Sequence, residues 1–351
     1  MKQLMLCFLI LSFSMIIFSF DHTDLPQPVG RGKMPAVTTD SRQKVHMVFG
    51  SGDSLLYSYS TDKGNSFSQP LLIENLKGLN ASATRGPQII SLKDDLSVVA
   101  STEDGKIYSW VKNGNGKWQR TKMVSDMDSV ALEGFVSLSG DGENAYAVWL
   151  DVRNNKRNKI YGSASDDGGK TWSKNILIYQ SPDSSVCECC KPSVVMKGKE
   201  VNVMFRNWIN GNRNLYLITS TDGGKTFDEA QKLGKGNWQL KGCPMDGGGL
   251  AVNNKGVVNT VWRREQNIYA CQPGGEEKLL GEGKSCVVES IGDKYAYAWT
   301  ANKKIICLLP DGKQVNPGMG NTVQLTSIDE YHLLCTWENE GSIYTELIQN
   351  Q

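Results

Sequence analysis

Short hydrophobic runs separated by turns recur along the chain from residue 24 onward. Runs of this length, bounded by glycine and polar residues, predict β-strands rather than helices. Seven of them occupy comparable places in successive units and are candidate second strands: Val45–Phe49, Leu96–Ala100, Ala145–Leu150, Val201–Phe205, Val257–Trp262, Tyr295–Trp299 and His332–Trp337. Their recurrence predicts a repeated all-β unit, and no segment predicts a helix of consequence.

An eight-residue motif, Ser-x-Asp-x-Gly-x-Thr/Ser-aromatic, occurs three times and follows an alternating run each time. An Asp side chain can accept hydrogen bonds from nearby backbone N–H groups, and Gly tolerates a positive φ, so the motif predicts a hairpin tip. The aromatic residue then begins the next strand and packs between units. The motif residues are Ser60, Asp62, Gly64 and Phe67, then Ser165, Asp167, Gly169 and Trp172, then Ser220, Asp222, Gly224 and Phe227.

This motif resembles the Asp-box, or BNR repeat, of the sialidase superfamily. The resemblance implies a β-propeller of four-stranded antiparallel blades around a central channel. It also implies that the box joins the third and fourth strands, opposite the active site, and that its residues are structural. Seven candidate second strands favour seven blades, and the six blades of sialidase catalytic domains are the alternative. The last unit ends after its third strand, so we expect Leu25–Val29 to supply the fourth and close the ring.

The N-terminus predicts export. Lys2 precedes an apolar run, Leu4–Phe20, which is typical of a secretory signal over residues 1–20; an uncleaved anchor is the alternative. We therefore expect a periplasmic or extracellular protein with one propeller domain over residues 24–351. A net charge of +1 argues against a nucleic-acid partner. Outside the signal, no segment predicts contact with a membrane.

The sialidase resemblance also implies a carboxylate-binding arginine before the Ile-Pro of the first inner strand. Here the segment reads Gly-Lys-Met-Pro, so Lys33 stands in its place without the bidentate guanidinium. We predict that Lys33, Arg85, Arg206 and Arg263 bind an acidic ligand. The alternative is that Arg153 and Arg206 only pair with neighbouring carboxylates on their loops. A sialidase further needs a Tyr–Glu pair, which has no match, so efficient sialidase activity is not expected.

Three carboxylates near inner-strand starts are candidate catalytic groups: Glu133, Asp246 and Glu289. Two carboxylates at a suitable separation across the channel would support glycoside hydrolysis.

Cysteines are concentrated at the starts of three successive inner strands. Cys187, Cys189 and Cys190 precede the fourth, Cys243 precedes the fifth and Cys286 lies in the sixth. Export favours disulfides, and we predict that one joins Cys243 to Cys189 or Cys190. The alternative is a soft-metal site for copper or zinc at these thiolates; no other cofactor is expected.

Three functions remain open from the sequence. The first is a carbohydrate-active or glycan-binding propeller that takes a glycan or another small acidic ligand at the channel mouth. The second is a non-catalytic propeller that binds a protein, and the third is a metal or redox protein built on the cysteines. Whether the protein is an enzyme is left open; if it is one, the resemblance points to a glycoside hydrolase or another carbohydrate-active enzyme.

Overall fold

Seven sheets of four antiparallel strands form the protein. The computed structural model describes residues 27–93, 95–113 and 116–350. Its strands belong to seven four-stranded sheets, so the predicted seven-bladed, all-β propeller is confirmed and the six-bladed alternative is excluded. In these ranges no helix is long and apolar enough to cross a membrane. The predicted signal, residues 1–20, lies outside the described residues and stays a prediction.

The strands follow one another around the ring; each of blades 1 to 6 uses four in succession, and blade 7 combines the last three strands with the first strand of the chain. The first strand of the chain is β1 (Gly30–Arg31). Blade 1 contains β2 (Lys33–Thr39), β3 (Val45–Ser51), β4 (Ser54–Ser60) and β5 (Leu71–Asn75). Blade 2 contains β6 (Gln88–Leu92), β7 (Asp95–Ser101), β8 (Ile107–Lys112) and β9 (Trp118–Arg120). Blade 3 contains β10 (Val136–Asp141), β11 (Asn144–Asp151), β12 (Lys159–Ser165) and β13 (Ile176–Tyr179). Blade 4 contains β14 (Ser193–Lys197), β15 (Glu200–Ile209), β16 (Asn212–Ser220) and β17 (Gln231–Lys232).

The second half of the ring continues the same order. Blade 5 contains β18 (Gly249–Val252), β19 (Val258–Arg264), β20 (Asn267–Cys271) and β21 (Lys278–Glu282), and blade 6 contains β22 (Lys284–Ile291), β23 (Lys294–Ala301), β24 (Lys304–Leu308) and β25 (Gln314–Val315). Blade 7 contains β26 (Asn321–Ser327), β27 (His332–Asn339) and β28 (Ser342–Gln349).

The N-terminal strand closes the ring. Gly30 of β1 pairs with Ile343 of β28 in antiparallel register, and the Val29 N–H donates to the Ile343 carbonyl over 2.7 Å. The fourth strand of blade 7 therefore comes from the other end of the chain, as predicted, although the pairing begins at Val29 and extends to Arg31. This pairing gives blade 7 its fourth strand and closes the ring where the two ends of the chain meet.

The core lies between neighbouring blades. In the largest cluster, Tyr146 and Val148 of blade 3 pack with Val201 and Phe205 of blade 4, and all four are buried. Alternation along each strand sends side chains to both faces, so each blade can bury apolar residues against both neighbours. Burying a large apolar side chain contributes roughly 1.5–3 kcal/mol.

The three octets occupy the loops between the third and fourth strands of blades 1, 3 and 4. In the third, the Asp222 carboxylate accepts hydrogen bonds from the Ser220 hydroxyl at 2.7 Å and the Thr226 N–H at 3.0 Å. The Ser220 hydroxyl in turn accepts from the Gly224 N–H at 2.9 Å. The same bonds recur around Asp62 and Asp167. The octet is thus a self-contained turn.

Each octet also contacts the second strand of the preceding blade through its glycine. A Cβ added to Gly224 would lie 2.0 Å from the Tyr146 ring, and Gly64 and Gly169 face Leu334 and Ser97 in the same way. Glycine is therefore required at these positions for two reasons: φ is positive, and the side chain of the preceding blade lies too close for a Cβ.

Two adjacent glycines allow the contact to be measured. Gly223 and Gly224 have nearly equal φ values of +83° and +81°, but a Cβ on Gly223 meets nothing within 4 Å. We predict that Gly224→Ala destabilises the fold by about 1–3 kcal/mol more than Gly223→Ala, because both strain the backbone and only the first overpacks the interface between blades. Denaturant unfolding of the two variants measures this difference. Equal stability of the two would contradict the packing role.

Candidate functional site

The two ends of the channel differ. The first strand of each blade lines the channel, and we call the end where these strands begin the entry mouth. Because strands alternate in direction, the octets that follow third strands lie at the opposite end. Long loops lead into blades 2 to 5, namely 76–87, 121–135, 180–192 and 233–248, whereas single residues, Gly32 and Gly283, lead into blades 1 and 6. The entry mouth is therefore walled by loops on one side only.

A second glycine repeat, which was not predicted from the sequence, shapes the low side of the mouth. Its copies are Gly30-Arg31-Gly32-Lys33, Gly281-Glu282-Gly283-Lys284 and Gly318-Met319-Gly320-Asn321. The glycines cover an aromatic ring of the second strand: a Cβ on Gly283 would lie 2.6 Å from Trp299, and one on Gly320 would lie 2.6 Å from Trp337. The Gly-x-Gly-Lys/Asn spacing was visible in the sequence and could have revealed it.

Each copy of this repeat is followed by a β-bulge that points into the channel. The strand register shifts after Lys33, Lys284 and Asn321. The residues that follow, Met34, Ser285 and Thr322, have φ values of +54°, +56° and +55°. All three line the channel cavity. Left-handed backbone at non-glycine residues is uncommon, and bulges of this kind re-aim side chains beside functional sites.

The channel contains a cavity of about 240 Å³ lined by residues from all seven blades. Most lining groups are small, apolar or amide-bearing, and three are charged: Lys191, Asp246 and Glu289. Lys191 and Asp246 belong to the loops that precede blades 4 and 5, and Glu289 lies in β22 of blade 6, so the charged groups are on the side of the cavity that these two loops border.

Two of these groups titrate near neutral pH. Desolvation in the channel raises the pKa of Glu289 to about 7, although its carboxylate accepts a hydrogen bond from the Ser327 N–H at 3.3 Å. Desolvation lowers the pKa of Lys191 to about 8, and its Nζ donates to the Gln88 side-chain oxygen at 2.9 Å. Such values are suited to proton transfer and are common at functional sites.

Asp246 is held in place by three contacts. Its carboxylate accepts from the Ser285 N–H at 2.9 Å and the Gly248 N–H at 3.3 Å, and it lies 3.7 Å from Arg263 Nε. Glu133 lies elsewhere: it is 3.8 Å from Arg85 and is not among the residues that line the cavity. Of the three predicted carboxylates, the structure therefore brings Asp246 and Glu289 to one cavity and separates Glu133 from them.

The four predicted ligand-binding cations do not share one pocket. Lys33 lines a separate surface groove with Arg31, and Arg85 lies 4.2 Å above the Phe135 ring while pairing with Glu133. The alternative prediction holds for Arg153, whose guanidinium lies 2.8 Å from Asp151 and 3.0 Å from Asp126, but not for Arg206, which donates to backbone carbonyls.

Arg206 and Arg263 do come together at the ring of Trp238. Their guanidinium carbons lie 5.2 and 5.3 Å from the centre of this ring. Arg206 is only 1% exposed, and its guanidinium donates to the carbonyls of Asp246, Arg213 and Arg263 at 3.0, 2.7 and 3.0 Å. It therefore fastens the loop before blade 5 to blade 4 rather than facing an open cleft.

A disulfide joins the two loops on the charged side of the mouth. Cys189 of loop 180–192 is bonded to Cys243 of loop 233–248, which confirms the predicted bridge and selects Cys189 over Cys190. The loops also touch along the backbone, since a Cβ on Gly247 would lie 2.0 Å from the Lys191 carbonyl oxygen. Glycine at this position thus permits the close approach.

Two further cysteines, Cys187 and Cys190, lie beside the disulfide. Cys187 Sγ is 3.7 Å from Cys189 Sγ and 3.4 Å from Cys190 Sγ, and both free thiols are buried. We call Cys187, Cys189, Cys190 and Cys243 the cysteine cluster. Cys286 does not join it: it is buried in the channel wall. The sulfurs of Cys187, Cys189 and Cys190 lie close enough together to hold one metal ion, and the occupancy of such a site by copper or zinc stays a prediction.

Comparisons with known proteins identify the fold. No protein-family model matches the sequence, and no curated protein matches it. Among solved structures, the BP39L lectin of Burkholderia pseudomallei is similar with a TM-score of 0.65 and 10% identity over 91% of this chain and 96% of the lectin. The PL25 ulvan lyase gives a TM-score of 0.57 and 10% identity over 93% and 95%.

The NanB sialidase of Streptococcus pneumoniae is also matched, with a TM-score of 0.46 and 12% identity over 90% of this chain and 67% of the enzyme. At these identities the similarities show a β-propeller and nothing about activity.

Glu289 makes stability depend on pH. In the unfolded chain its carboxyl group titrates near 4.5, and in the folded protein its pKa is about 7. Between these values the folded state keeps a proton that the unfolded state loses, so the stability contributed by this group falls as pH rises from about 4.5 to 7. Glutamine does not titrate. We predict that Glu289→Gln becomes stabilising relative to the parent by roughly 1–3 kcal/mol as pH is raised from 4.5 to 8.

Denaturant unfolding at the two pH values checks this prediction, with Glu229→Gln on the exposed surface as the control. A difference between Glu289→Gln and the parent that does not change with pH would show that Glu289 is not desolvated.

Proposed function

We propose that the protein is an exported propeller whose entry mouth binds a small, hydroxyl-rich ligand of the glycan class. The observation that supports this most is the channel cavity, in which hydrogen-bonding side chains from different blades converge. Besides Lys191, Asp246 and Glu289, the wall includes the amides of Gln88 and Gln324. It also includes five side-chain hydroxyls, those of Thr84, Ser137, Ser193, Ser285 and Thr322. A sugar hydroxyl both donates and accepts, so a wall of mixed donors and acceptors suits it.

We also propose that Glu289 is the proton donor if the ligand is cleaved. A carboxyl group with a pKa of about 7 keeps its proton near neutral pH, as a general acid requires. Asp246, on the neighbouring blade, would supply the second carboxylate of a hydrolase. A sialoside is not the proposed substrate, because Lys33 is not in the cavity and Arg206 donates only to backbone carbonyls.

A glycan-binding panel and a panel of chromogenic glycosides test this proposal. We predict that at least one glycan binds. Lys191→Met should weaken the affinity for this glycan about tenfold, since a hydrogen bond from a charged donor contributes roughly 1.5–3 kcal/mol. If that glycan is also cleaved, Glu289→Gln lowers kcat by about 10²–10⁴ and leaves binding largely intact.

Glu229→Gln, on the surface, is the matched control for Glu289→Gln. Binding without cleavage would identify a lectin-like protein. Absence of binding across the panel, or binding that Lys191→Met leaves unchanged, would refute the proposal and favour a protein-binding propeller.

A further inference from the structure

The cysteine cluster lies beside two buried cations that have no carboxylate partner among the described residues. Arg206 is 1% exposed and its guanidinium donates to backbone carbonyls; Arg213 is 7% exposed and donates through Nε to the Leu240 carbonyl at 3.4 Å. The Arg213 guanidinium also lies over the Trp208 ring, and its Nη1 lies 3.0 Å from Cys187 Sγ. Buried cations without an anion are costly, so their surroundings favour a negative charge on that sulfur.

Cys187 is the sulfur that carries this charge. Cys187 Sγ lies 3.4 Å from Cys190 Sγ. The hydrogen bond between these two sulfurs, followed by Arg213 and Arg206, lowers the pKa of Cys187 to about 6 against the opposing effect of burial. Burial and the neighbouring Cys187 raise the pKa of Cys190. Because the Arg213 guanidinium lies against Cys187 Sγ, a negative charge on the pair is favoured on Cys187.

The thiolate touches one sulfur of the disulfide. Cys187 Sγ lies 3.7 Å from Cys189 Sγ, and Cys189 is itself nearly buried. The other sulfur belongs to Cys243, which is exposed at the surface. A buried sulfur thus contacts the inner cysteine of a disulfide whose other cysteine is exposed. Thiol–disulfide exchange requires this contact between a thiolate and a disulfide sulfur.

We propose that the entry mouth is a thiol–disulfide exchange site, in which Cys187 attacks Cys189 and releases Cys243 as a reactive surface thiolate. An electron pair of Cys187 Sγ forms the Cys187–Cys189 bond, and the pair of the Cys189–Cys243 bond leaves on Cys243 Sγ. No electron is gained or lost overall and no proton is needed. Released Cys243 then attacks an external disulfide, forming a mixed disulfide and freeing one thiolate of that molecule.

The exchange would also change the channel mouth. The Cys189–Cys243 bond spans 54 residues of sequence and joins the loops before blades 4 and 5, whereas a Cys187–Cys189 bond lies within one loop. Met245 and Asp246, which line the cavity, follow Cys243 closely in the chain. The substrate class is therefore a disulfide presented at the loops that border the cavity. This activity does not depend on the proposed glycan ligand.

The described state favours exchange over a metal centre. With Cys189 and Cys243 bonded to each other, Cys187 and Cys190 are the free sulfurs left in the cluster, and a structural zinc site uses four ligands. Metal binding is thus an outcome of the test rather than part of the proposal.

Alkylation under non-reducing conditions tests the exchange. Trypsin cuts the chain so that Cys187, Cys189 and Cys190 lie in fragment 175–197 and Cys243 lies in fragment 242–255. When native protein is incubated with iodoacetamide, we expect the linked pair of fragments to separate over time. Fragment 242–255 then carries one alkyl group on Cys243, and fragment 175–197 carries an internal disulfide between Cys187 and Cys189.

Matched variants identify the nucleophile. Cys187→Ser should slow alkylation of Cys243 by at least about tenfold, and Arg213→Gln by roughly tenfold because the thiolate fraction falls, with partial recovery in Arg213→Lys. Cys271→Ser, at a buried cysteine outside both the cluster and the channel wall, should behave as the parent does. Thermal unfolding of each variant confirms that it is folded, and the parent's own fragment map decides the proposal if Cys187→Ser does not fold.

Three results would overturn the proposal. The fragments could stay linked in the parent, or Cys243 could be alkylated equally fast in the parent and in Cys187→Ser. Elemental analysis could also find one equivalent of zinc or copper bound to the purified protein and lost in Cys187→Ser, which would make the cluster a metal site instead.

Discussion

A single buried guanidinium holds the entry mouth together. Arg206 extends from β15 of blade 4 and donates to carbonyls of three different segments: the loop before blade 5 at Asp246, β16 at Arg213 and β19 at Arg263. A planar guanidinium with five donors in a fixed arrangement suits three acceptors on different segments. Because these carbonyls belong to blades 4 and 5, one side chain positions Asp246 for the channel and Arg213 for Cys187.

The opposite end of the propeller is built on a different principle. The octets satisfy their own backbone groups, and their glycines pack against the preceding blade, so that end consists of repeated, self-contained turns. The entry mouth instead combines loops of unequal length, left-handed residues such as Met34 and Ser285, and buried charged groups such as Arg206 and Asp246. Stability is thus supplied by the repeats, while the chemically unusual groups lie at the entry mouth, in its loops and in the adjoining strands.

The fold could be predicted because its signals are local and repeated. Each octet encodes its own turn, and the alternating runs encode strands, so seven blades and closure by the N-terminal strand followed. The partner of Cys243 could be narrowed to Cys189 or Cys190, because the segments that contain these cysteines precede neighbouring inner strands. The distribution of the cations could not be predicted, since whether Arg85 faces a ligand or Glu133 depends on contacts between residues 48 positions apart. The desolvation of Glu289 and Lys191 depends on the closed channel, which no local pattern describes.

The dependence of the mouth on Arg206 can be measured by amide hydrogen exchange. Arg206→Lys keeps the charge and loses the planar set of donors, and Arg120→Lys, at an exposed ion pair with Glu74, is its control. If Arg206 holds the loops, backbone amides in 180–192 and 233–248 should exchange faster in Arg206→Lys by at least about tenfold, while those of the three octets stay unchanged. Unchanged exchange in both loops, with the variant folded, would contradict this account.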